Sequence, residues 1–353
     1  MILHYAIFRV TNYTSTASPR ALSLVSGEAF SFREQMLTPY SRPPIDISKQ
    51  IEHLKNRGLK ITCDSGARKH LEEKGYYRLK AYMLPYRSAE RNFVEGTALE
   101  QVTALHDFDE KLRLAVFKHI QRVEIFVRNN FNEYMCAATE NAFWYLDSSL
   151  FGRNTASYAD TINKIRASFL SSQEAFARHF REQYYNEFCS FYSLMPPSWM
   201  VVELMTFGNM LTLLNSVSTE TIDTHKLDRW SRKNIGPDKF KKLTNWLHCV
   251  RDVRNHCAHH NRLFNRNFKA PDGVKKQFDK SIELVKLPDT NPTQYQLNRL
   301  YTALAALQTI SKRAGLTSIG PELNELFGQY PEANQHLPSM GFPSDWRKES
   351  LFF

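Results

Sequence analysis

The longest unbroken run of patterned apolar positions goes from Phe108 through Leu112, Val116, Ile120, Val123, Val127 and Phe131 to Tyr134. This is the i, i+4, i+7 spacing of one helix face, held over about 27 residues without a breaker. The opposite face carries Lys118, Arg122, Arg128 and Asn129. Asp107, Asp109 and Glu110 fall at the predicted start, where a helix dipole favours negative charge, so these carboxylates read as dipole-compensating and not as metal ligands.

Shorter periodic runs predict further helices. Ile51, Leu54 and Lys55 recur at helical spacing after Ser48, and Gly58 stops a helix over 47–57; a second follows at about 66–74. Tyr76 to Arg87 is a helix that Pro85 must end or kink, and its ring-rich face is either core or a binding platform. Others are expected at about 157–184, 198–216, 238–260 and 293–313, with Pro196-Pro197 and Gly236-Pro237 as punctuation. Strand signals are scarce and no repeat of solenoid length is visible, so the fold class is all-α.

Composition narrows the picture. The chain has 353 residues, 42% of them hydrophobic, which is ample for a core and excludes a disordered protein. Five cysteines without a C-x-x-C pair indicate neither a disulfide framework nor a zinc cage, and the compartment reads as reducing cytoplasm. No stretch approaches the roughly 18 to 20 apolar residues needed to span a bilayer, so no membrane partner is expected. Met1 to Gly27 holds no acid, and regular patterning begins only near Met36; residues 1–35 are read as a poorly ordered extension or a mis-assigned start.

Charge is uneven. The chain carries a formal +10, and residues 221–280 alone hold 15 Lys and Arg against six Asp and Glu, so a polyanion partner belongs there, unless the basic face is merely solvated. Phosphate-cradling G-x-x-x-x-G-K-[ST], H-E-x-x-H and nucleophile-elbow patterns are missing, which excludes the nucleotide hydrolases, zincins and esterases built on them.

The densest chemistry lies inside the basic segment, from Trp246 to Arg262. On a helix, Leu243, Trp246, Val250, Val253 and Cys257 form an apolar stripe, while Arg251, Asn255 and His259 line another side at i+4 steps. Arg254 lies about 1.5 turns before His259, and its long side chain could converge with the imidazole on one phosphate. Metal-free RNA cleavage needs a group near pKa 6.5 to move protons and a fixed cation to stabilise the phosphorane. His259 and Arg254 suit these roles, and Asn255 could orient the imidazole or the phosphate. Three other readings remain open on the spacing alone: a metal site on His256 and His260, a Cys257 nucleophile beside His256, and a purely structural polar helix end.

Arg254-Asn255-x-x-x-His259 resembles the R-x4-6-H motif of HEPN ribonucleases, and Val253 to Arg266 is similar to the signature of the Abi family of AbiD/AbiF-like abortive-infection proteins. Further blocks agree in order: Gln50–Leu59, Gly75–Arg87, Phe108–Asn129, Pro197–Gly208 and Met340–Trp346. The resemblance implies an all-α, HEPN-like bundle with additional helices, an N-terminal helical segment at 36–100, a core at 101–315 and a C-terminal tail at 316–353 packing on that core. It implies an endoribonuclease toxin of phage defence, with a non-catalytic RNA-binding or phage-sensing protein as the alternative. Arg254, Asn255 and His259 would be catalytic. Arg251, His260, Arg262, Arg122, Arg128, Lys241 and Lys242 would contact RNA, and no metal or cofactor is expected. A second motif opens at Arg128-Asn129 but has Glu133 where the histidine should stand, which implies a homodimer or a degenerate second half. A small-RNA or protein antitoxin is a further implied partner. His106 stands where the family pattern has an aromatic ring. The E-E-x-x-x-R helix of the membrane proteases that share the Abi label is absent, because Arg78 follows Glu72-Glu73 at the wrong spacing.

Overall fold

The computed structural model describes residues 40–353 except 42, 153–154, 289 and 291–292. The extension read at 1–35 lies outside them. Of the segment ending at Ile45, residues 40–41 and 43–45 are described, without regular structure; Asp46–Phe353 forms a unit of its own.

The chain enters through α1 (Ile47–Asn56), α2 (Asp64–Lys74) and α3 (Tyr76–Met83). The Asp46 carboxylate caps α1 by accepting the Lys49 N–H at 2.9 Å. Gly75, at φ +80°, joins α2 to α3 in a backbone conformation that a side chain would strain. Pro85 ends α3 as expected, and Leu84–Tyr86 tightens into a 3-10 turn.

Next comes α4 (Leu99–Thr139), 41 residues with no glycine or proline. The apolar stripe predicted from Phe108 extends back through Leu105, Val102 and Leu99, all buried, and Gln101 Oε1 accepts the Ala98 N–H at 2.9 Å to start the helix. Asp107, Asp109 and Glu110 therefore stand inside α4 and not at its start. Their reading as dipole-compensating groups is corrected, since the dipole field fades within the first turn.

The helix expected at 157–184 is two, α5 (Thr155–Ser171) and α6 (Ala175–Gln183). That at 198–216 is also two, α7 (Ser198–Leu204) and α8 (Phe207–Ser216), because Thr206 Oγ1 caps Asn209 N at 3.1 Å and restarts the helix. Short α9 (Thr219–Thr224) and α10 (Leu227–Trp230) lead through a π-turn to α11 (Phe240–Ala258). α12 (Leu300–Arg313) begins later than the expected 293, and α13 (Gly320–Gln329) was not anticipated. Four isolated bridges are the sum of β-pairing among the described residues, so the fold is all-α. None of the described helices is long and apolar enough to cross a membrane.

α4, α11 and α12 pack on one another. Val123, Val127, Val250 and Val253 are all buried in the main core, and α4 packs on α11. α12 is buried from Leu300 to Ser311, and Ala303, Ala305 and Ala306 are among these residues, small side chains of the kind that let helices approach closely. The C-terminal part packs on α4: the Phe108 and Phe327 rings are 5.1 Å apart, and Glu322 accepts from Lys118 at 3.0 Å and contacts His119 Nε2 at 3.1 Å.

One buried carboxylate ties the early helices to the exit of α11. Asp109 is 0% exposed and accepts from Tyr82 Oη (2.6 Å), Arg113 Nη1 (2.6 Å), Leu263 N (3.2 Å) and Phe264 N (2.7 Å). Burial raises its pKa, against the pull of these donors and above all of Tyr82 and Arg113. The His106 ring meets Tyr82 edge-on at 5.2 Å beside this carboxylate.

Two outcomes are expected. Asp109→Ala leaves a guanidinium, a phenol and two amides without their acceptor, and should cost about 3–5 kcal/mol by urea unfolding. Asp109→Asn, which keeps one acceptor oxygen, should cost less. A loss below about 1 kcal/mol for the alanine variant would show that water replaces the carboxylate. Burial also lowers the pKa values of His106, His119 and His336 below 6.5. The unfolded chain then binds more protons, so the stability from these neutral imidazoles is complete above 6.5 and falls as the pH drops towards their folded values. The urea midpoint should decline from about pH 7.5 to about pH 5.5, and His119→Gln should flatten that decline; a midpoint that rises on acidification would mean the imidazoles are charged in the fold.

Candidate functional site

α11 buries the stripe that its spacing predicts, from Leu243 through Trp246, Val250 and Val253 to Cys257, and ends at Ala258. Its polar residues are thereby turned towards two different surroundings.

Arg254 faces α4. Its Nε lies 3.8 Å from Glu124 Oε2, and the guanidinium carbon stands 5.9 Å from the centre of the Phe117 ring. Glu124 also accepts from Arg128 Nη2 at 2.7 Å, and Arg128 Nη1 donates to the Val202 carbonyl at 2.8 Å. Arg128, 14% exposed at its side chain, therefore joins α4 to the end of α7, whereas the Arg254 side chain stays 35% exposed.

His259 closes α11 as an exposed C-cap, its N–H bonded to the Asn255 carbonyl at 3.0 Å. Five residues on a helix rotate by about 140°, so Arg254 and His259 leave α11 in different directions. The convergence expected from their spacing is not formed within this chain's geometry: Arg254 turns to Glu124, and His259 to the surface. Asn255, half-buried, lies between them.

The turn after His259 is held at three points. Arg78 Nη1 donates to the His260 carbonyl at 2.6 Å, Arg262 Nη1 donates to the Ala81 carbonyl at 3.1 Å, and Asp109 takes the amides of Leu263 and Phe264. His260 is left-handed (φ 55°), so His256 and His260 do not share a helix face, and the two-histidine metal reading loses its i, i+4 geometry. The His256 ring instead meets Phe268 edge-on at 5.6 Å. Cys257 is 8% exposed and burial pushes its thiol up to about 12, which disfavours the thiolate that a cysteine nucleophile needs.

The outer side of α11 is cationic. Arg251 bonds to Asp252 at 3.0 Å. Burial lowers the pKa of His248, and the charges of Arg251 and Lys269 lower it further; burial, then Arg266 and His259, act likewise on His256, with Asp252 opposing both shifts. Lys241 is exposed at the rim of a cavity with Ser157, Thr212 and Asn215. Lys242 is tied to Asp238, and Arg122 donates to Thr317 Oγ1 at 2.6 Å. His248, Arg266 and Lys269 were not singled out from the sequence, although the charge excess of 221–280 contains all three.

On the other side, the end of α11 forms one wall of a groove of about 750 Å³ between α2, α3 and α4. Lys74, Arg78, Arg113 and His260 line it, with Glu73 and Glu110 as its acids. Among the described residues, His106, Asp107 and Glu110 bring three potential metal-ligand atoms within 4.8 Å of one another. Lys74 Nζ lies 2.5 Å from Asp107 and 3.4 Å from His106 Nδ1, so an ammonium already supplies the cation there. No sequence signal marked Lys74, and Arg78 and Phe117 fell in marked blocks without being singled out, because the α2–α3 and α4 walls meet the motif only in the folded chain.

The sequence matches the family model described as Abi-like protein over residues 69–265, more than half of the chain. No curated protein and no solved structure matches it. The matched span contains α3, the whole of α4, the R-x4-H segment of α11 and the turn that Asp109 holds, while Gln50–Leu59 and Met340–Trp346 lie outside it. The chain belongs to the Abi-like protein family.

Proposed function

We propose that the chain is a metal-independent endoribonuclease, acting in the cytoplasm as an abortive-infection toxin. Membership of the Abi-like family supports a role in abortive infection. The observation that carries the nuclease reading is the exposed His259 imidazole on a triply tethered turn, at the end of a helix that carries Arg251 and whose His248 and His256 lie near Lys269 and Arg266 of the chain after it. In the reaction, the 2′-oxygen of the RNA attacks phosphorus as it loses its proton, and the 5′-oxygen leaves with a proton, yielding a 2′,3′-cyclic phosphate. His259 would carry protons, Arg254 would stabilise the phosphorane charge, and Asn255 would orient one of the two.

The step uses a base and an acid, whereas one chain supplies one exposed imidazole in this motif. A homodimer supplies two, and would bring the Arg254 of one copy towards the His259 of the other. Arg251, His260, Arg262, Arg122 and Lys241 are the proposed RNA contacts. Arg128 and Lys242 would contribute less, being bound to Glu124 and Asp238. An antitoxin, RNA or protein, completes the proposal. A second reading, RNA binding without cleavage, is favoured by the ion pair that holds Arg254 against Glu124.

The two readings separate in an RNA-cleavage assay run in EDTA with the 3′ ends of the products identified. The nuclease reading expects cyclic phosphate. His259→Ala should lower the rate roughly 10²- to 10⁴-fold with affinity nearly unchanged, and Arg254→Ala should lower turnover comparably. Lys241→Ala should leave turnover alone, weaken binding and reduce the salt slope by about one unit, with a smaller effect for Lys242→Ala. If His259→Ala cuts at the wild-type rate, or cleavage returns only with added divalent metal, this motif is not the nuclease. RNA binding with no cleavage at all would establish the second reading.

A further inference from the structure

The tyrosine-rich block Gly75–Arg87 is only partly consumed by the core. Tyr82 is 1% and Tyr86 9% exposed, and Tyr76 packs half-buried against the core. Tyr77, by contrast, keeps 77% of its surface in solvent. The fold therefore does not require a ring at this position, yet it holds one in place: Lys80 Nζ stands over the ring at 5.4 Å from its centre, and Tyr76 meets it edge-on at 6.1 Å. The next residue is Arg78, which lines the groove at the end of α11 and bonds to the carbonyl of His260, next to His259. A solvent-facing ring with Lys80 over it thus stands one residue before Arg78, the cation of α3 that lines the groove the His259 turn closes.

Rings of this kind stack on bases, every base having a π-face, while adjacent cations take the phosphates. Bases inside an A-form duplex are already stacked on both sides and offer no such face. We propose that α3 is a base-stacking wall, on which Tyr77 holds an unpaired base of single-stranded RNA while the backbone beside it runs past Arg78 towards His259. This deepens the ribonuclease reading and rests on it: it names single-stranded RNA as the substrate class and Tyr77 as a residue that selects it. Exposed rings are also found at Tyr185, Phe191 and Trp199, in a segment (184–199) whose one charged residue is Glu187, so no cation stands beside them in sequence as Arg78 stands beside Tyr77.

The test uses the full chain carrying His259→Ala as parent, so that RNA is bound without being cut. Affinities are measured for a short unstructured oligoribonucleotide and for the same sequence as a duplex. Adding Tyr77→Ala should weaken single-strand binding roughly 10- to 100-fold, whereas Tyr77→Phe and Tyr77→Trp should bind as the parent does, and none of the three should change duplex affinity. A 2-aminopurine placed in the single strand should be quenched by the parent and not by the Tyr77→Ala protein. Unchanged single-strand affinity in Tyr77→Ala overturns the inference, and with RNA cleavage by the wild type intact it leaves the ribonuclease reading standing. An equal loss on single strand and duplex also overturns it, because stacking discriminates between them and a charge or folding effect does not. If the parent binds neither form and the wild type cuts nothing, the ribonuclease reading fails together with this one.

Discussion

The carboxylate of Asp109 is the contact on which the candidate site depends. A fully buried anion is tolerated only when its lone pairs are satisfied, and Asp109 takes its donors from three parts of the chain: the Tyr82 hydroxyl of α3, Arg113 one turn along α4, and the amides of Leu263 and Phe264 after α11. Those amides have left the helix and have no carbonyl of their own to bond. By accepting them, Asp109 sets where α11 must stop and how the chain turns away from it. The contacts of Arg78 with the His260 carbonyl and of Arg262 with the Ala81 carbonyl then close the same turn from the side of α3. The exposed imidazole of His259 stands at the start of that turn.

A second constraint is electrostatic. Glu124 lies between Arg128 and Arg254, so one carboxylate offsets two guanidinium groups, and the cluster keeps a net positive charge at the boundary of α4 and α11. Arg128 uses Nη1 to hold the Val202 carbonyl of α7, which makes it an architectural residue. Arg254 keeps a third of its side-chain surface in solvent and rests near Phe117, a geometry that steadies the guanidinium without removing it from an anionic ligand. The same ion pair supports the non-catalytic reading, and the two readings differ in whether RNA can compete with Glu124 for this cation.

Around these fixed points the surface is built from residues far apart in sequence. α2 and α3 supply Lys74, Arg78 and the exposed ring of Tyr77; α11 and the chain after it supply Arg251, Arg266 and Lys269. The span that matches the Abi-like family covers both sets, from residue 69 to residue 265, apart from the last two cations. α12 and α13 lie beyond it and complete the core, α12 by filling the angle between α4 and α11 and α13 through the contacts of Glu322 and Phe327 with α4.

The sequence by itself determined the all-α class, the long helix around Phe108–Phe131, the buried stripe of α11 and the charge excess at 221–280, because each is written in local spacing or composition and helical periodicity survives any tertiary arrangement. The breaks within the helices expected at 157–184 and 198–216 were less legible, since polar residues such as Ser172 or Thr206 are compatible with both a helix and its cap. The tertiary structure alone decided the rest. Asp109 reads as a helix-start acid until α4 is seen to begin at Leu99, and its partners lie 27 and about 155 residues away. Arg254 and His259 read as convergent until α4 supplies Glu124 to draw the arginine aside. Tyr77 cannot be told from Tyr82 in a ring-rich block until one is covered by α4 and the other is not. In each case the deciding partner belongs to another helix, and a side chain's surroundings follow from packing, which no local pattern encodes.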